Sequence, residues 1–389
     1  MNFIVISPFY PQNFQNFSIE LSHKGIRVLG IGQEPYDQLD QALKDALTEY
    51  YRVDDLENLD QVVRAVAFFF HKYGPIDRIE SHNEYWLELD AALRTQFNIF
   101  GVKSKELEKT KLKSAMKKLF KKAGVPVVEG IVVKSKNQGK KAVQKLGYPL
   151  IAKPDNGVGG SGTYKLQSEQ DLQHFLEEWN EDSPYFFEQM IDSQDVCTFD
   201  GLVDKDGNIV FSTSLTYFYT PLSVVAQGLD NTFYIEKEID SKLKEYGQAI
   251  VETFGMKERF FHIEFFRMPD GDYVALEYNN RPAGGFTIEV YNKAHHINLY
   301  ELYAAMVAGQ EIKKQSPNSH YCLAASRRFS KNYAHSQEEI QEHFPLEYQY
   351  AYQVPQAFAG LQGDLINVLT SSEFEKIKEM VAYIGQLDD

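Results

Sequence analysis

Two neighbouring strand-like segments place the strongest constraint on how this chain folds. Residues 261–268 and 273–279 are rich in aromatic and apolar side chains, and Pro269-Asp270-Gly271-Asp272 separates them. Such runs on either side of an Asp-Gly pair predict an antiparallel β-hairpin with that pair as a two-residue turn. The predicted turn places Glu264 directly opposite Glu277, with their Cβ atoms about 5 Å apart.

A pair of opposed glutamates needs a compensating positive charge, because like charges that face each other across two strands destabilise the pairing. The two-residue period of a strand puts His262, Asn279 and Arg281 on the same face as Glu264 and Glu277. Carboxylate and amide oxygens are ligands of hard divalent cations such as Mg²⁺, so we interpret this face as a metal site. The alternative is an exposed glutamate pair on a solvated face, which the surrounding aromatic residues disfavour.

A glycine-rich loop follows a strand that carries a single lysine. Lys153 lies in the apolar segment 149–154, and residues 155–162 contain four glycines. Backbone N–H groups of such a loop can surround a polyphosphate. The loop is not a Walker A motif, because its lysine precedes the glycines. A glycine hairpin with an incidental lysine is the alternative interpretation.

The order of the predicted elements indicates an α/β protein. Strands alternate with helices over residues 1–103, which predicts a parallel α/β domain. Residues 193–285 alternate in period two and are predicted to form an antiparallel sheet, and a terminal helix with a serine N-cap is predicted over 372–384. His82 and Glu84 follow a predicted strand of the first domain, where ligands are often bound. A polar strand-to-helix cap is the other interpretation of that segment.

Composition excludes several classes of partner and location. The chain has 389 residues and a formal net charge of −15, which argues against a nucleic acid or an anionic membrane as partner. The longest apolar run, residues 65–70, is too short for a transmembrane helix. The N-terminus lacks the pattern of a secretory signal, and the two cysteines suggest neither a disulfide framework nor a zinc site. We therefore expect a cytoplasmic protein.

The motifs occur in an order that resembles the ATP-grasp superfamily. Lys153, the glycine loop and the series Glu264…Glu277-x-Asn279-x-Arg281 carry the resemblance. It extends over the whole chain and points to the carboxylate–amine ligase branch, which includes biotin carboxylase and amino-acid ligases. The resemblance implies an N-terminal α/β domain over 1–103, an ATP-grasp domain with antiparallel sheets over 104–310, and a C-terminal extension over 311–389. The ATP-grasp part would comprise a small lid over 124–192 and a larger metal-binding part over 193–310.

The resemblance also implies roles for individual residues. The residues that it assigns to ATP are the phosphate lysines Lys113 and Lys153, the loop residues Gly157, Gly159, Gly160, Ser161 and Gly162, the adenine contacts Glu188 and Ile191, and the ribose contact Asp195. It assigns the metal, Mg²⁺ or Mn²⁺, to Glu264, Glu277 and Asn279. The groups that face the developing negative charge are Arg281, Gly284 and Gly285.

The activity implied by the resemblance is ATP-dependent ligation of a small-molecule carboxylate to an amine through an acyl phosphate, with release of ADP and phosphate. After Arg281 this chain continues as Pro-Ala-Gly-Gly-Phe, and it lacks the Val-Glu-His-Pro stretch of biotin carboxylases. Bicarbonate is therefore disfavoured as substrate. A phosphotransferase, a biotin carboxylase-like enzyme and a non-catalytic ATP-binding regulator stay open as alternatives. Arg327 and Arg328 are candidate substrate contacts or a surface pair, and a homodimer is an open option.

Overall fold

We describe the fold from a computed structural model of the chain. It describes residues 1–157, 162–191, 195–312 and 318–388. These residues form three sheets flanked by helices, so the predicted mixture of a parallel α/β part and antiparallel sheets is confirmed. No helix within these ranges is both long enough and apolar enough to cross a lipid bilayer.

The first sheet is parallel and lies within the first hundred residues. Its strands are β1 (Asn2–Ile6), β2 (Arg27–Gly32), β3 (Glu49–Arg52) and β4 (Arg78–Glu80), in the spatial order β3-β2-β1-β4. The helices are α1 (Gln15–His23), α2 (Gln41–Ala46), α3 (Leu59–Tyr73) and α4 (Leu87–Gln96). Because the strands are parallel, the loops that follow them gather at one edge of the sheet. Glu84 lies in the loop after β4.

The second sheet is small and antiparallel. Two helices precede it, α5 (Ser104–Lys111) and α6 (Lys113–Lys122). Its elements are β5 (Gly130–Val133), α7 (Lys136–Leu146), β6 (Leu150–Pro154), β7 (Tyr164–Leu166), α8 (Glu169–Glu178) and β8 (Tyr185–Gln189). The strand order is β5-β8-β6-β7, and both helices bury an apolar face against it. The predicted glycine hairpin thus joins two paired strands, β6 and β7.

The third sheet has nine antiparallel strands. These are β9 (Val196–Val203), β10 (Ile209–Thr213), β11 (Leu215–Tyr217), β12 (Thr232–Ile235), β13 (Arg259–Arg267), β14 (Tyr273–Asn279), β15 (Tyr321–Arg327), β16 (Tyr348–Gln353) and β17 (Leu365–Ser371). The order is β14-β13-β9-β11-β12-β15-β17-β16, and β10 pairs with β9. Since β12 pairs with β15, one sheet continues across position 310, where the sequence suggested a boundary.

Helices cover both faces of this sheet. They are α9 (Pro221–Gln227), α10 (Ser241–Phe254), α11 (Thr287–His295), α12 (Leu299–Val307), α13 (Gln337–His343), α14 (Gln356–Gln362) and α15 (Phe374–Gly385). Cys197 and Cys322 are buried and free in the sheet, as expected. The helix α15 is confirmed, but the predicted serine cap is wrong, because Glu373 holds the N-cap position without a side-chain hydrogen bond.

The prediction that residues 193–285 form only strands is wrong for α9 and α10. Asp240 caps α10, where its carboxylate accepts hydrogen bonds from the backbone N–H groups of Lys242 and Leu243. The helix ends at Gly255, whose positive φ of 66° suits a left-handed cap. Leu243, Ile250, Val251 and Phe254 form its buried face. This helical spacing is present in the sequence and outweighs the strand pattern around it.

A buried ionic network joins the N-terminal part to the large sheet. Glu80, at the end of β4, accepts from Arg94 at 2.9 Å and lies 3.4 Å from the guanidinium of Arg259. Arg259 in turn donates to the carbonyl oxygen of Asn280 at 3.1 Å. Such buried charges are tolerated when they are paired. The network therefore fixes the first sheet against the segment that follows β14.

Candidate active site

The two predicted glutamates lie directly opposite each other. Glu264 on β13 pairs with Glu277 on β14, and His262 pairs with Asn279. The turn that joins the strands has three residues rather than two, because the N–H of Met268 donates to the carbonyl of Asp272. A β-bulge between Glu264 and Phe265 then brings Glu264 opposite Glu277. The predicted pairing is therefore confirmed, whereas the predicted two-residue turn is wrong.

Each glutamate has a cation beside it. Lys113 Nζ lies 3.3 Å from Glu277 Oε1 and donates to the carbonyl of Gly157 at 2.7 Å. His262 Nε2 lies 3.2 Å from Glu264 Oε1. Burial alone would raise the pKa of Glu264, but His262, Arg281 and Lys153 together lower it. Glu264 is thus favoured as a carboxylate.

The donor set suits a hard divalent cation. Two opposed carboxylates and the amide of Asn279 share one face of the β13–β14 pair. Oxygen donors of this kind are those that Mg²⁺ prefers, with phosphate oxygens or water completing the coordination. Among the described residues, no three His, Cys, Asp or Glu side chains are arranged as a metal cage of their own. The residues present therefore fit a metal that is shared with a phosphate ligand.

Asp155 fixes Lys113 at the start of α6. The backbone N–H of Lys113 donates to the Asp155 carbonyl, and the N–H and hydroxyl of Ser114 both donate to its carboxylate at 2.8 Å. A carboxylate at this position satisfies free N–H groups and complements the helix dipole. The loop after β6 and the first lysine are thus held together.

Three charged side chains form a buried cluster between α6 and the small sheet. Lys153 on β6 donates to Glu188 Oε1 on β8, and Lys117 Nζ on α6 lies 3.1 Å from Glu188 Oε2. Burial alone would raise the pKa of Glu188, but the two lysines lower it to about 2. Burial lowers the pKa of Lys117, and the negative charge of Glu188 offsets only part of this decrease. The cluster carries one more positive than negative charge, which favours a bound anion.

Arg281 is held by a carboxylate of the N-terminal part. Its Nε donates to Glu84 Oε2 at 2.9 Å, a second guanidinium N–H contacts the same oxygen, and Nη1 donates to the carbonyl of Pro282 at 2.8 Å. Glu264 and Glu277 also act electrostatically on Arg281. The structure thus brings together two predicted residues from opposite ends of the sequence.

The Gly-Gly segment after Arg281 is hydrogen-bonded to neighbouring residues, although Gly284 itself is exposed. Asn13 donates to the carbonyl of Gly285 at 3.1 Å, and Thr287 donates to that of Gly284 at 2.7 Å. Gly285 has a φ of 63°, and a Cβ at this position would lie 1.4 Å from the side-chain amide of Gln362. Glycine is therefore favoured here by the backbone conformation, and a Cβ would displace the flexible side chain of Gln362.

Other predicted residues have different surroundings. His82 is buried and stacks on Phe17 at 3.8 Å, and burial lowers its pKa to about 4. The guanidinium groups of Arg327 and Arg328 donate to backbone carbonyls of the C-terminal segment, including those of Ile384 and Gly360. The structure does not bring these three residues to the glutamate pair.

The remaining predicted nucleotide contacts are only partly described. The carboxylate of Asp195 lies 3.5 Å from Arg267, and Ile191 follows β8. Gly157 and Gly162 flank the loop, and both have Pro154 as a near neighbour. The predicted contacts Gly159, Gly160 and Ser161 lie outside the described residues.

Sequence reasoning missed several residues that shape the site. Lys117 was given no role, although it lies one helical turn after Lys113 and on the same face. Asp200 was also missed, although an isolated acid in an apolar strand signals a buried partner. That partner is His262, whose Nδ1 lies 2.6 Å from Asp200 Oδ1.

The comparisons with known proteins agree with this arrangement. Residues 118–296 match the ATP-grasp domain family. They form an ATP-grasp domain. The match includes Lys153, Glu188, the opposed glutamates and Arg281, so the resemblance to the ATP-grasp superfamily is confirmed. No curated protein matches the sequence.

Solved structures share the fold over nearly the whole chain. An L-amino acid ligase from Bacillus licheniformis superposes with a TM-score of 0.73 at 14% identity, over 98% of this chain and 95% of that one. A phosphoribosylglycinamide synthetase from Anaerococcus prevotii gives 0.69 at 13% identity, over 100% and 98%. The biotin carboxylase domain of 2-oxoglutarate carboxylase from Hydrogenobacter thermophilus, solved with MgADP and bicarbonate, gives 0.69 at 16%, over 100% and 90%. At these identities the likeness establishes the fold of the ATP-grasp domain and its flanking parts.

Proposed function

We propose that this protein is an ATP- and Mg²⁺-dependent ligase that activates an organic carboxylate as an acyl phosphate and couples it to an amine. The observation that carries the proposal is the placement of Arg281 beside the opposed pair Glu264 and Glu277. A protein that only bound ATP would need the lysines and the glycine loop, but no arginine next to the metal ligands. The three solved structures above are described as a ligase, a synthetase and a carboxylase, which supports the same reaction class.

The nucleotide would lie between the small sheet and the hairpin. Lys113 and Lys153 reach this space from α6 and β6 and would bind the phosphate oxygens. Glu264, Glu277 and Asn279 would hold Mg²⁺, which offsets the charge of the transferring phosphoryl group when it is bound. Contacts of Glu188, Ile191 and Asp195 with the adenosine part belong to this proposal as well.

The chemistry proceeds in two steps. A carboxylate oxygen of the substrate attacks the γ-phosphorus, and the bond to the β-phosphate oxygen breaks with release of ADP. The amine nitrogen then attacks the carbonyl carbon of the acyl phosphate, phosphate leaves, and the nitrogen loses a proton. Arg281 and the N–H groups of Gly284 and Gly285 would stabilise the negative charge that develops in both steps.

The contact between Glu84 and Arg281 bears on substrate binding. A guanidinium paired with a carboxylate is already in the geometry in which it would hold a substrate carboxylate. We therefore retain Glu84 as a substrate-site residue of the proposal. We propose no substrate role for Arg327 and Arg328, because both guanidinium groups donate to backbone carbonyls outside the glutamate hairpin.

The decisive experiment measures ADP and phosphate release over pairs of amino acids and other carboxylates with amines, followed by mass spectrometry of the products. A ligase releases phosphate only when both substrates are present. Transfer of the phosphate to a hydroxyl would show a phosphotransferase, and turnover with bicarbonate alone would show a biotin carboxylase-like enzyme. Nucleotide binding without turnover on any pair would contradict the proposal and favour a regulator.

A further inference from the structure

A buried series of hydrogen bonds lies directly behind one of the opposed glutamates. The phenol of Tyr291 on α11 donates to Asp200 Oδ2 at 2.6 Å, and Thr198 donates to the same oxygen. Asp200 Oδ1 contacts His262 Nδ1 at 2.6 Å. His262 Nε2 contacts Glu264 Oε1 at 3.2 Å. The series thus runs from a helix through β9 and β13 to the glutamate.

The strand register explains why these groups meet. His262 pairs with Asp200, and Glu264 pairs with Thr198, so all four side chains lie on one face of the β9–β13 pair. His262 and Asp200 are both almost completely buried. Burial of two ionisable groups is costly unless each is hydrogen-bonded, and here both ring nitrogens and both carboxylate oxygens have partners. The orientation of the imidazole ring is therefore fixed.

The fixed ring has a consequence for Glu264. A glutamate side chain has three rotatable bonds, and a free one at a half-open site would sample several rotamers. The contact with His262 engages Oε1 and leaves Oε2 available to a ligand. On the opposite strand, Lys113 approaches Glu277 Oε1 in a similar way. In each carboxylate, a neighbouring side chain thus holds one oxygen, and the other oxygen is available to a metal ion.

We propose that His262 is a positioning residue, held by Asp200 and Tyr291, that orients Glu264 toward the metal–nucleotide complex. The inference rests on the proposed function, since it assumes that Glu264 is a metal ligand. It differs from a purely structural role for His262 because it predicts a change in metal dependence. Residues that orient metal ligands in this way typically contribute about 10- to 100-fold to metal affinity.

The test measures ADP binding by calorimetry, with Mg²⁺ and with EDTA, and the Mg²⁺ concentration for half-maximal ADP release at saturating ATP. For His262→Leu we expect the half-maximal Mg²⁺ concentration to rise about 10- to 100-fold. ADP affinity in EDTA should stay within about twofold. His262→Gln keeps one N–H donor and should restore part of the metal affinity.

A matched control is His295→Leu. His295 is a partly buried histidine on α11, and its Nε2 contacts the hydroxyl of Thr213 at 2.8 Å. Its loss should lower thermal stability without changing the Mg²⁺ dependence. Should His262→Leu fail to fold, Tyr291→Phe removes a single hydrogen bond to Asp200 and should still raise the half-maximal Mg²⁺ concentration by a few fold.

Two results would overturn the inference. One is an unchanged Mg²⁺ dependence in both His262→Leu and Tyr291→Phe. The other is an equal shift in His295→Leu, which would indicate a general loss of stability. Failure of the proposed function has a different signature, because the unaltered protein would then release no ADP with any pair of substrates, whereas calorimetry of ADP with Mg²⁺ and with EDTA would still test the role of His262.

Discussion

Replacement of Glu188 by glutamine should destabilise the protein strongly. The Glu188 side chain lies between Lys153 and Lys117, and none of the three side chains is more than 10% exposed. The substitution keeps the shape but removes the only negative charge of this cluster, so two buried ammonium groups lose their partner. Removal of one member of a buried ion pair typically costs about 3–5 kcal/mol.

That free energy corresponds to a large change in thermal unfolding. For domains of this size about 1 kcal/mol shifts the midpoint by about 2–4 °C, so we expect a decrease of roughly 6–20 °C for Glu188→Gln. Scanning calorimetry or circular dichroism measures it. Since two lysines lower the pKa of Glu188 to about 2, the stability that it provides is present above its ordinary pKa near 4.5. It should be lost as the pH falls from about 4.5 toward 2.

A second variant tests whether the loss of stability depends on the sign of the charge that is removed from the cluster. Lys117→Met leaves Glu188 and Lys153 as a matched pair and removes an ammonium whose pKa burial lowers. We expect this variant to unfold within a few degrees of the wild type or above it. As a surface control, Glu178→Gln on α8 should change the free energy of unfolding by less than about 0.5 kcal/mol. Equal losses of stability in Glu188→Gln and Lys117→Met would refute the charge argument.

Three further predictions concern the site and its surroundings. Arg281→Ala should lower turnover by at least about 10²-fold with little effect on ADP binding, because the guanidinium acts on charge that develops in the transition state; near-normal turnover in a coupled ADP assay would exclude this role. Glu277→Ala should abolish Mg²⁺-dependent ATP turnover, and unchanged activity would show that the metal assignment is wrong. Burial raises the pKa of Glu289 to about 7, so the folded state retains a proton that the unfolded state has lost, and stability should fall as the pH rises from about 4.5 to 7. Glu289→Gln should remove this decline in chemical denaturation at pH 5 and pH 8, and an identical decline in the variant would contradict it.

The sequence predicts the local elements of this fold well where one pattern is dominant. The hydrophobic spacing of α3 and the alternation of β13 and β14 both produce the expected element. The helix α10 was missed because strands surround it, although Asp240 and Gly255 are ordinary cap residues at its two ends. Here the caps and the helical spacing were better guides than the pattern of the neighbouring segments.

The site was predictable where its residues are neighbours in a hairpin. Glu264 and Glu277 could be paired from the sequence because only a short turn separates their strands. The contact between Glu84 and Arg281 joins residues 197 positions apart, and no local pattern encodes it. Lys117 and Glu188 likewise meet through packing of α6 on the small sheet, so their pairing needed the structure.

The hairpin that carries the glutamates also limits how its sequence can change in evolution. Its turn has one residue more than a two-residue turn, and the β-bulge between Glu264 and Phe265 compensates for that residue. With the same number of residues between them, the two glutamates would also face each other across a two-residue turn without a bulge. A residue gained or lost that neither the turn nor the bulge absorbs would move Glu277 out of line with Glu264, because each one-residue shift reverses the face of a strand. Relatives with the same spacing between the two glutamates should therefore have both features or neither.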